Sequence, residues 1–208
     1  MKLVIDNLHF SYHPKAGKIF NGFNLSVEEG RILAVLGSSG CGKSTLLRII
    51  SGLEESAQGT ISVGNTIFQD QSVFVPVEKR NIGFVFQDYA LFPFMTVEQN
   101  IKFGMKKPSF DQFHRLLDLT HLKGLEKRYP HELSGGQQQR TALARTLASM
   151  PALLLMDEPF SNLDANLVDE LRKDLKQIIK SQKITTVLVT HNKADADYLA
   201  DKIIQLSA

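Results

Sequence analysis

The opening of the chain alternates. In LVIDNLHFSY (3–12) apolar and polar positions interleave, HPKAG interrupts, and IFNGFNLSVEEG (19–30) resumes the pattern, which predicts strands joined by turns. A short apolar run, ILAVL (32–36), then leads through a glycine-rich turn into KSTLLRIISG, a helical pattern with Gly52 placed as its C-cap. TISVGNTIF (60–68) reads as a hairpin turning near Gly64–Asn65. The middle, roughly 90–150, changes character. TVEQNIKF, DQFHRLLDLTHLKGL and the segment after Ser134 all carry helical spacing, and β-branched runs are scarce. Strand signals return in LLLMD (153–157) and ITTVLVT (184–190), whose nearly uninterrupted apolar runs suit parallel strands buried on both faces. Between them NLVDELRKDLKQIIKSQ is an amphipathic helix. The pattern predicts an α/β core, an antiparallel β subdomain near the start, and an inserted α-helical subdomain. The division is 1–88 with 151–208 for the core and 89–150 for the helices.

Composition narrows the class. The 208 residues are 43% hydrophobic and 22% charged, a globular balance, and suit one large domain or a domain with a subdomain. The net charge of +2 gives no electrostatic reason to expect nucleic acid as a partner. The single cysteine, Cys41, forbids an intrachain disulfide and fits a reducing compartment. MKLVIDNLHF lacks the layout of a signal peptide, and no apolar run nears a membrane span, so work at a membrane would proceed by docking.

Chemistry concentrates in a few stretches. GSSGCGKS (37–44) fits the phosphate-binding P-loop pattern and sits between a predicted strand and helix, where that mechanism needs it. Its glycines allow backbone N–H groups to turn inward on phosphate oxygens, helped by the helix N-terminus. Lys43 would reach the β- and γ-phosphates and the Ser44 hydroxyl would bind Mg²⁺. In LLLMDEP (153–159) a buried strand ends in two carboxylates. Asp157 suits an Mg²⁺ role, and Glu158, pointing differently, suits polarising a water. His191 follows the strand ITTVLVT, on the ligand-binding edge of an α/β sheet. The other five histidines lack such placement and read as surface residues. Gln87 closes the run NIGFVF and offers an amide oxygen to a metal or water, although strand ends are often polar. Tyr12 could stack on a base or simply pack.

The ordered set GSSGCGKST, Gln87, LSGGQQQR (133–140), LLLMDEP, SNLD (161–164) and His191 resembles the ATPase subunit of ATP-binding cassette (ABC) transporters over nearly the whole chain. LSGGQ directly upstream of an acidic strand is the most specific element. The resemblance implies a RecA-like P-loop NTPase core that binds ATP and Mg²⁺. Tyr12 would lie under adenine, and Gly37, Ser38, Ser39, Gly40, Cys41, Gly42, Lys43, Ser44 and Thr45 would wrap the phosphates. Ser44, Gln87 and Asp157 would serve the metal, and Glu158, His191 and Lys43 would be catalytic. A second copy of the chain would pack head to tail, with Asp164 crossing the interface. Ser134, Gly135, Gly136 and Gln137 would then face the partner's γ-phosphate. Ser134 is also a favourable N-cap and the glycines permit close approach to an anion, so the local chemistry agrees.

QDYALFPFMTVEQNI (87–101) resembles the importer branch serving ferric iron, polyamines, sulfate and sugars, with a lean to ferric iron. There the region around Tyr89–Gln99 would receive a helix of a membrane permease, through Tyr89, Leu91, Phe92, Phe94 and Met95. The same residues could instead pack the subdomain. The implied location is the cytoplasmic face of the membrane, as a peripheral subunit. Two departures stand out. Asn192 occupies a position where the family usually has aspartate. The chain also stops at KIIQLSA, without the C-terminal regulatory β-domain common in this branch. The alternatives are a soluble ABC ATPase acting on nucleic acid, ribosomes or cluster assembly, and an exporter. The single cassette, with no heptad run and no basic tract, argues against the first.

Overall fold

The computed structural model describes residues 1–13, 17–55, 57–161, 163 and 165–206. Two sheets organise it. The first is antiparallel, with four strands, β1 (Leu3–Phe10), β2 (Phe20–Val27), β4 (Gln58–Val63) and β5 (Thr66–Gln69), in the order β2-β1-β4-β5. The hairpin turn falls between Val63 and Thr66, at the expected Gly64–Asn65. The second sheet is parallel and five-stranded. Its members are β3 (Ile32–Leu36), β6 (Ile82–Val85), β7 (Leu153–Asp157), β8 (Thr185–Thr190) and β9 (Lys202–Gln205), ordered β6-β7-β8-β3-β9.

The parallel sheet is the wall between two apolar clusters. Its inner strands β3, β7 and β8 are buried on both sides, so alternate residues feed opposite clusters. Leu33, Val35, Leu153, Leu155, Val187 and Val189 join the antiparallel sheet and helix α1 (Lys43–Ser51). Ile32, Ala34, Leu154, Met156 and Leu188 join the other cluster. That cluster also takes side chains from α2 (Val97–Phe103), α3 (Phe110–Leu119), α4 (Gly135–Ala148), α5 (Ala165–Gln182) and α6 (Lys193–Leu199). The apolar faces of the helices at 97–148 therefore run into the same cluster as one face of the sheet.

The helices begin and end where their chemistry dictates. α1 stops at Gly52, whose left-handed conformation (φ 83°) lets its N–H reach back to Arg48 and Ile49. Thr96 caps α2 and Ser134 caps α4, each in a reciprocal capping box with a glutamine three residues on. α6 and β9 were not anticipated from periodicity. α6 has seven residues, too few for a repeat to show, and starts because the Asn192 side chain accepts the Ala194 N–H at 2.9 Å. An asparagine caps as well as an aspartate, so the departure at 192 is absorbed locally.

Arg80 is the least expected member of the interior, at 1% exposure. Its guanidinium donates to the carbonyls of Ile49 (3.0 Å) and Ile50 (2.8 Å), at the end of α1, and to that of Val75 (2.7 Å). The rings of Phe74 and Phe68 lie 4.9 and 5.4 Å away. Burial pushes its pKa down to about 10, still charged at neutral pH. It holds the far end of the helix whose near end is the P-loop.

Candidate active site

Three neighbouring parallel strands end in one row. Val35 of β3 is level with Val189 of β8, and Val189 is level with Asp157 of β7. The residues just beyond these ends, Gly37, Glu158 and His191, are therefore neighbours although far apart in sequence. This carboxyl edge is where open α/β sheets hold ligands.

The loop after β3 turns into α1 through Gly42, whose φ of 97° is left-handed. A Cβ there would also lie 2.5 Å from Ile19 Cγ2, so both backbone and space demand glycine. Ser38, Ser39 and Gly40 form the exposed rim, and Cys41 is buried beneath it. The Cys41 Sγ packs against Gly37, where a Cβ would lie 2.4 Å from the sulfur. Lys43 is 5% exposed, and its ammonium donates to the carbonyls of Gly37 (2.8 Å) and Ser38 (2.9 Å). The lysine thus folds over the loop and lies 3.9 Å from Glu158 Oε1.

The next two residues, in the first turn of α1, make the outward links. Ser44 donates to Asp157 Oδ1 at 3.0 Å. Thr45 Oγ1 is 3.1 Å from the hydroxyl of Tyr12, which fixes that half-exposed ring beside the loop. Tyr12 also meets Phe10 edge-on, with ring centres 4.8 Å apart.

Glu158 has φ 44°, which few non-glycine residues adopt. Its N–H still bonds to Val189 O (2.9 Å), so the chain leaves β7 at a fixed point and turns sharply. The turn sends the carboxylate toward Lys43 on one side and toward His191 on the other, where Oε2 lies 2.9 Å from Nδ1. Strained backbone of this kind persists where the surroundings over-determine it, commonly at functional sites.

Asp157 is the strained member electrostatically. Burial raises its pKa; the Ser44 hydrogen bond lowers it, the neighbouring Glu158 charge raises it, and Lys43 lowers it, the net being upward. A group held above its unfolded pKa adds stability only in acid, and that contribution is lost as pH rises through its folded value. At neutral pH the Asp157 charge is a cost to the empty fold. Asp157→Asn is expected to raise the midpoint of thermal unfolding of the nucleotide-free protein at pH 7. The difference should close in acid. Calorimetry from pH 4 to 7 checks this, and a lower midpoint for the variant at pH 7 contradicts it.

The same arrangement bears on Mg²⁺. A hydroxyl and a desolvated carboxylate 3.0 Å apart, with Ser44 exposed, are a fitting partial set for a cation that keeps water and phosphate ligands as well. Gln87 is exposed, two residues beyond β6, the strand paired with β7.

The LSGGQ segment forms the start of α4. The Ser134 hydroxyl accepts the Gln137 N–H at 3.3 Å, and the Gln137 side chain accepts the Ser134 N–H at 3.0 Å. Ser134 is exposed, whereas Gly136 is buried, where a Cβ would lie 3.2 Å from Leu171 Cδ1. Gly136 therefore serves the packing of α4 on α5, a role its sequence context did not reveal. Asp164 lies outside the described residues.

The segment after Gln87 divides. Tyr89 is 5% exposed with φ 62°, and burial raises its phenol pKa. It is a packing residue rather than a surface one. Arg145 on α4 clamps the turn, donating to Ala90 O (2.7 Å) and Tyr89 O (2.9 Å) beneath the Phe92 ring. Phe94, by contrast, is 91% exposed, and so is much of Phe103, which sequence reasoning did not single out.

A strand, glycine loop and helix, with the lysine folded over the loop and an acidic strand end bonded to its serine, define a P-loop nucleotide-binding domain. The chain belongs to the ABC transporter family, whose model matches residues 20–161. The sulfate/thiosulfate import ATP-binding protein CysA of Brucella melitensis is 48% identical, over 88% of this chain and 53% of that relative. The Fe(3+) ions import ATP-binding protein FbpC of Mesorhizobium japonicum is 46% identical, over 93% of this chain and 54% of its own length. The CysA protein of a Synechocystis species is 46% identical over 100% of the chain and 58% of that relative. The chain thus spans about half the length of these curated relatives. Among solved structures, a dimeric post-hydrolysis state of an ATP-binding cassette bound to ADP and Pi superposes with a TM-score of 0.81 at 29% identity. It covers 99% of this chain and 94% of that one.

Proposed function

We propose that this chain is the ATP-hydrolysing subunit of a membrane importer, working as a head-to-tail pair. The observation that carries the reading is the convergence of Lys43, Asp157, Glu158 and His191 at adjoining strand ends. In this reading residues 1–88 and 151–208 form the nucleotide-holding lobe and 89–150 the helical lobe.

ATP lies along the loop 37–45, with adenine against Tyr12. Lys43 exchanges its contacts with the Gly37 and Ser38 carbonyls for β- and γ-phosphate oxygens. Ser44 and Asp157, with Gln87, would hold Mg²⁺, which when bound neutralises phosphate charge. Glu158 accepts a hydrogen bond from the attacking water and takes its proton as the oxygen adds to the γ-phosphorus. His191 holds the Glu158 carboxylate in line. The bond from the γ-phosphorus to the bridging oxygen breaks, and ADP and Pi leave. Ser134 and its helix N-terminus complete the site from the second copy, and Asp164 is assigned to the seam between copies.

The permease would dock by Phe94, Phe103 and the surface around Tyr89–Gln99, where exposed aromatic rings suit an amphipathic helix. No helix among the described residues is long and apolar enough to cross a membrane. The likeness to import ATP-binding relatives supports assigning the chain as a peripheral subunit on the cytoplasmic face. Ferric iron and sulfate or thiosulfate both stand as solutes, because relatives bearing each name match at 46% and 48% identity.

Affinity purification from detergent-extracted host membranes tests the assembly. Recovery of an integral-membrane permease is expected. Recovery of nucleic acid in its place contradicts the importer reading.

A further inference from the structure

Arg172 of α5 is tied to both flanks of the Glu158–His191 pair. Its side chain is 12% exposed. Nε donates to Asp195 Oδ1 at 2.8 Å, Nη2 donates to the same oxygen, and Nη1 donates to Asp169 at 2.7 Å. Asp195, on α6, is 3% exposed, and its other oxygen accepts the Thr190 hydroxyl at 3.1 Å. The Thr190 oxygen in turn accepts the Asn192 N–H at 3.0 Å. Thr190 and Asn192 are the residues on either side of His191. On the opposite flank the guanidinium lies 6.0 Å from the ring centre of Phe160, two residues beyond Glu158.

The arrangement matters because the His191 side chain is 61% exposed. An imidazole with so little packed around it has rotamer freedom, and its aim depends on the backbone that carries it. That backbone is held by Thr190, Thr190 by Asp195, and Asp195 by the fork of Arg172. A buried ion pair is a poor source of net stability compared with apolar packing, so stability alone does not account for this one.

We propose that Arg172 and Asp195 are positioning residues that set His191 against Glu158 for ATP hydrolysis. The inference rests on the ATPase reading above. Neither residue hydrogen-bonds or pairs ionically with residues 37–45, so the effect should fall on turnover rather than on nucleotide affinity. Misplacement by a fraction of an ångström to one ångström can cost up to about a hundredfold in rate.

The test compares kcat and KM for ATP, and equilibrium binding of a fluorescent ATP analogue, in wild type and four variants. Arg172→Met and Asp195→Asn are expected to lower kcat by about tenfold to a hundredfold, with analogue affinity within about threefold of wild type. The double variant should fall no further than the worse single, because both break one linkage. Arg172→Lys keeps stem and charge but loses the fork, and guards against misfolding of the methionine variant. It should lose at least about fivefold in kcat. The proposal is overturned if Arg172→Lys turns over at the wild-type rate, if the losses in kcat and in affinity move together, or if the two single losses multiply. A wild-type protein that binds ATP but does not hydrolyse it defeats the ATPase reading instead, a result distinct from those three.

Discussion

Glu158→Gln is expected to lower ATP turnover by about 10²- to 10⁴-fold while leaving ATP affinity within a few-fold of wild type. The reasoning is local. Glutamine keeps the size of the side chain and an oxygen for the His191 contact, so the geometry at 2.9 Å can survive. It cannot take a proton from water. Lys43, whose ammonium now faces the carboxylate at 3.9 Å, loses a competing charge and remains free to meet phosphate. The prediction is therefore a split: kcat collapses and binding holds. Single-turnover assays with radiolabelled ATP and an equilibrium binding assay measure the two parts. A variant that hydrolyses within about tenfold of wild type would remove Glu158 from the role of water-activating base.

The largest expected effect on stability lies elsewhere, at Arg80. Arg80→Ala strips the carbonyls of Ile50 and Val75 of their side-chain donor inside the fold, and takes from Ile49 one of its two donors, the other being the Gly52 N–H. It also leaves a void between Phe68 and Phe74. Each unpaired buried acceptor costs about 1–3 kcal/mol, and large-to-alanine truncation adds a cavity. A loss of at least about 3 kcal/mol is expected, or about 6–12 °C in thermal midpoint for a chain of this size. Nucleotide binding should weaken as well, because α1 presents the loop 37–45 and Arg80 secures its other end. Arg80→Lys should recover only part, since an ammonium cannot span three acceptors held in the plane of a fork. Denaturant unfolding of the two variants measures this; a cost below about 1 kcal/mol for Arg80→Ala would show the carbonyls finding other partners.

What could be seen in advance depended on whether the signal was local. β3 and β7 were legible because strands buried on both faces must be apolar along their length, and 32–36 and 153–156 are. α1 and α4 were legible from their ends, Gly52 and Ser134, where capping chemistry is a short-range affair. P-loop, acidic strand end and LSGGQ are contiguous in sequence and stood out for that reason. Arg80 did not stand out, because an arginine in isolation reads as surface; its three acceptors come from two other segments brought over it by the fold. The sequence leaves Tyr89 open between a docking contact and subdomain packing; a left-handed turn clamped by Arg145, 56 residues away, buries it. Arg172 and Asp195 are 23 positions apart on separate helices, and no spacing rule joins them. The sequence points to Glu158 through the acidic end of the strand 153–157, the P-loop in the same chain and the family resemblance; that its backbone is bent at φ 44° to reach both Lys43 and His191 is visible only in three dimensions.

The same contrast holds for LSGGQ. As local chemistry it is a capped helix start whose Ser134 and Gln137 satisfy each other. Its proposed use needs a second chain. In the proposed reading the P-loop of each copy holds its own ATP, the exposed Ser134 of one copy serves the γ-phosphate of the other, and the working unit is a pair.

Sedimentation velocity of the Glu158→Gln protein with Mg²⁺ and saturating ATP tests that claim most directly. The expected result is a species of twice the single-chain mass with ATP, a single-chain species with ADP, and loss of the ATP-dependent pair when Ser134→Arg is added. A protein that binds ATP at its P-loop yet sediments as a single chain at every concentration would contradict the head-to-tail pair.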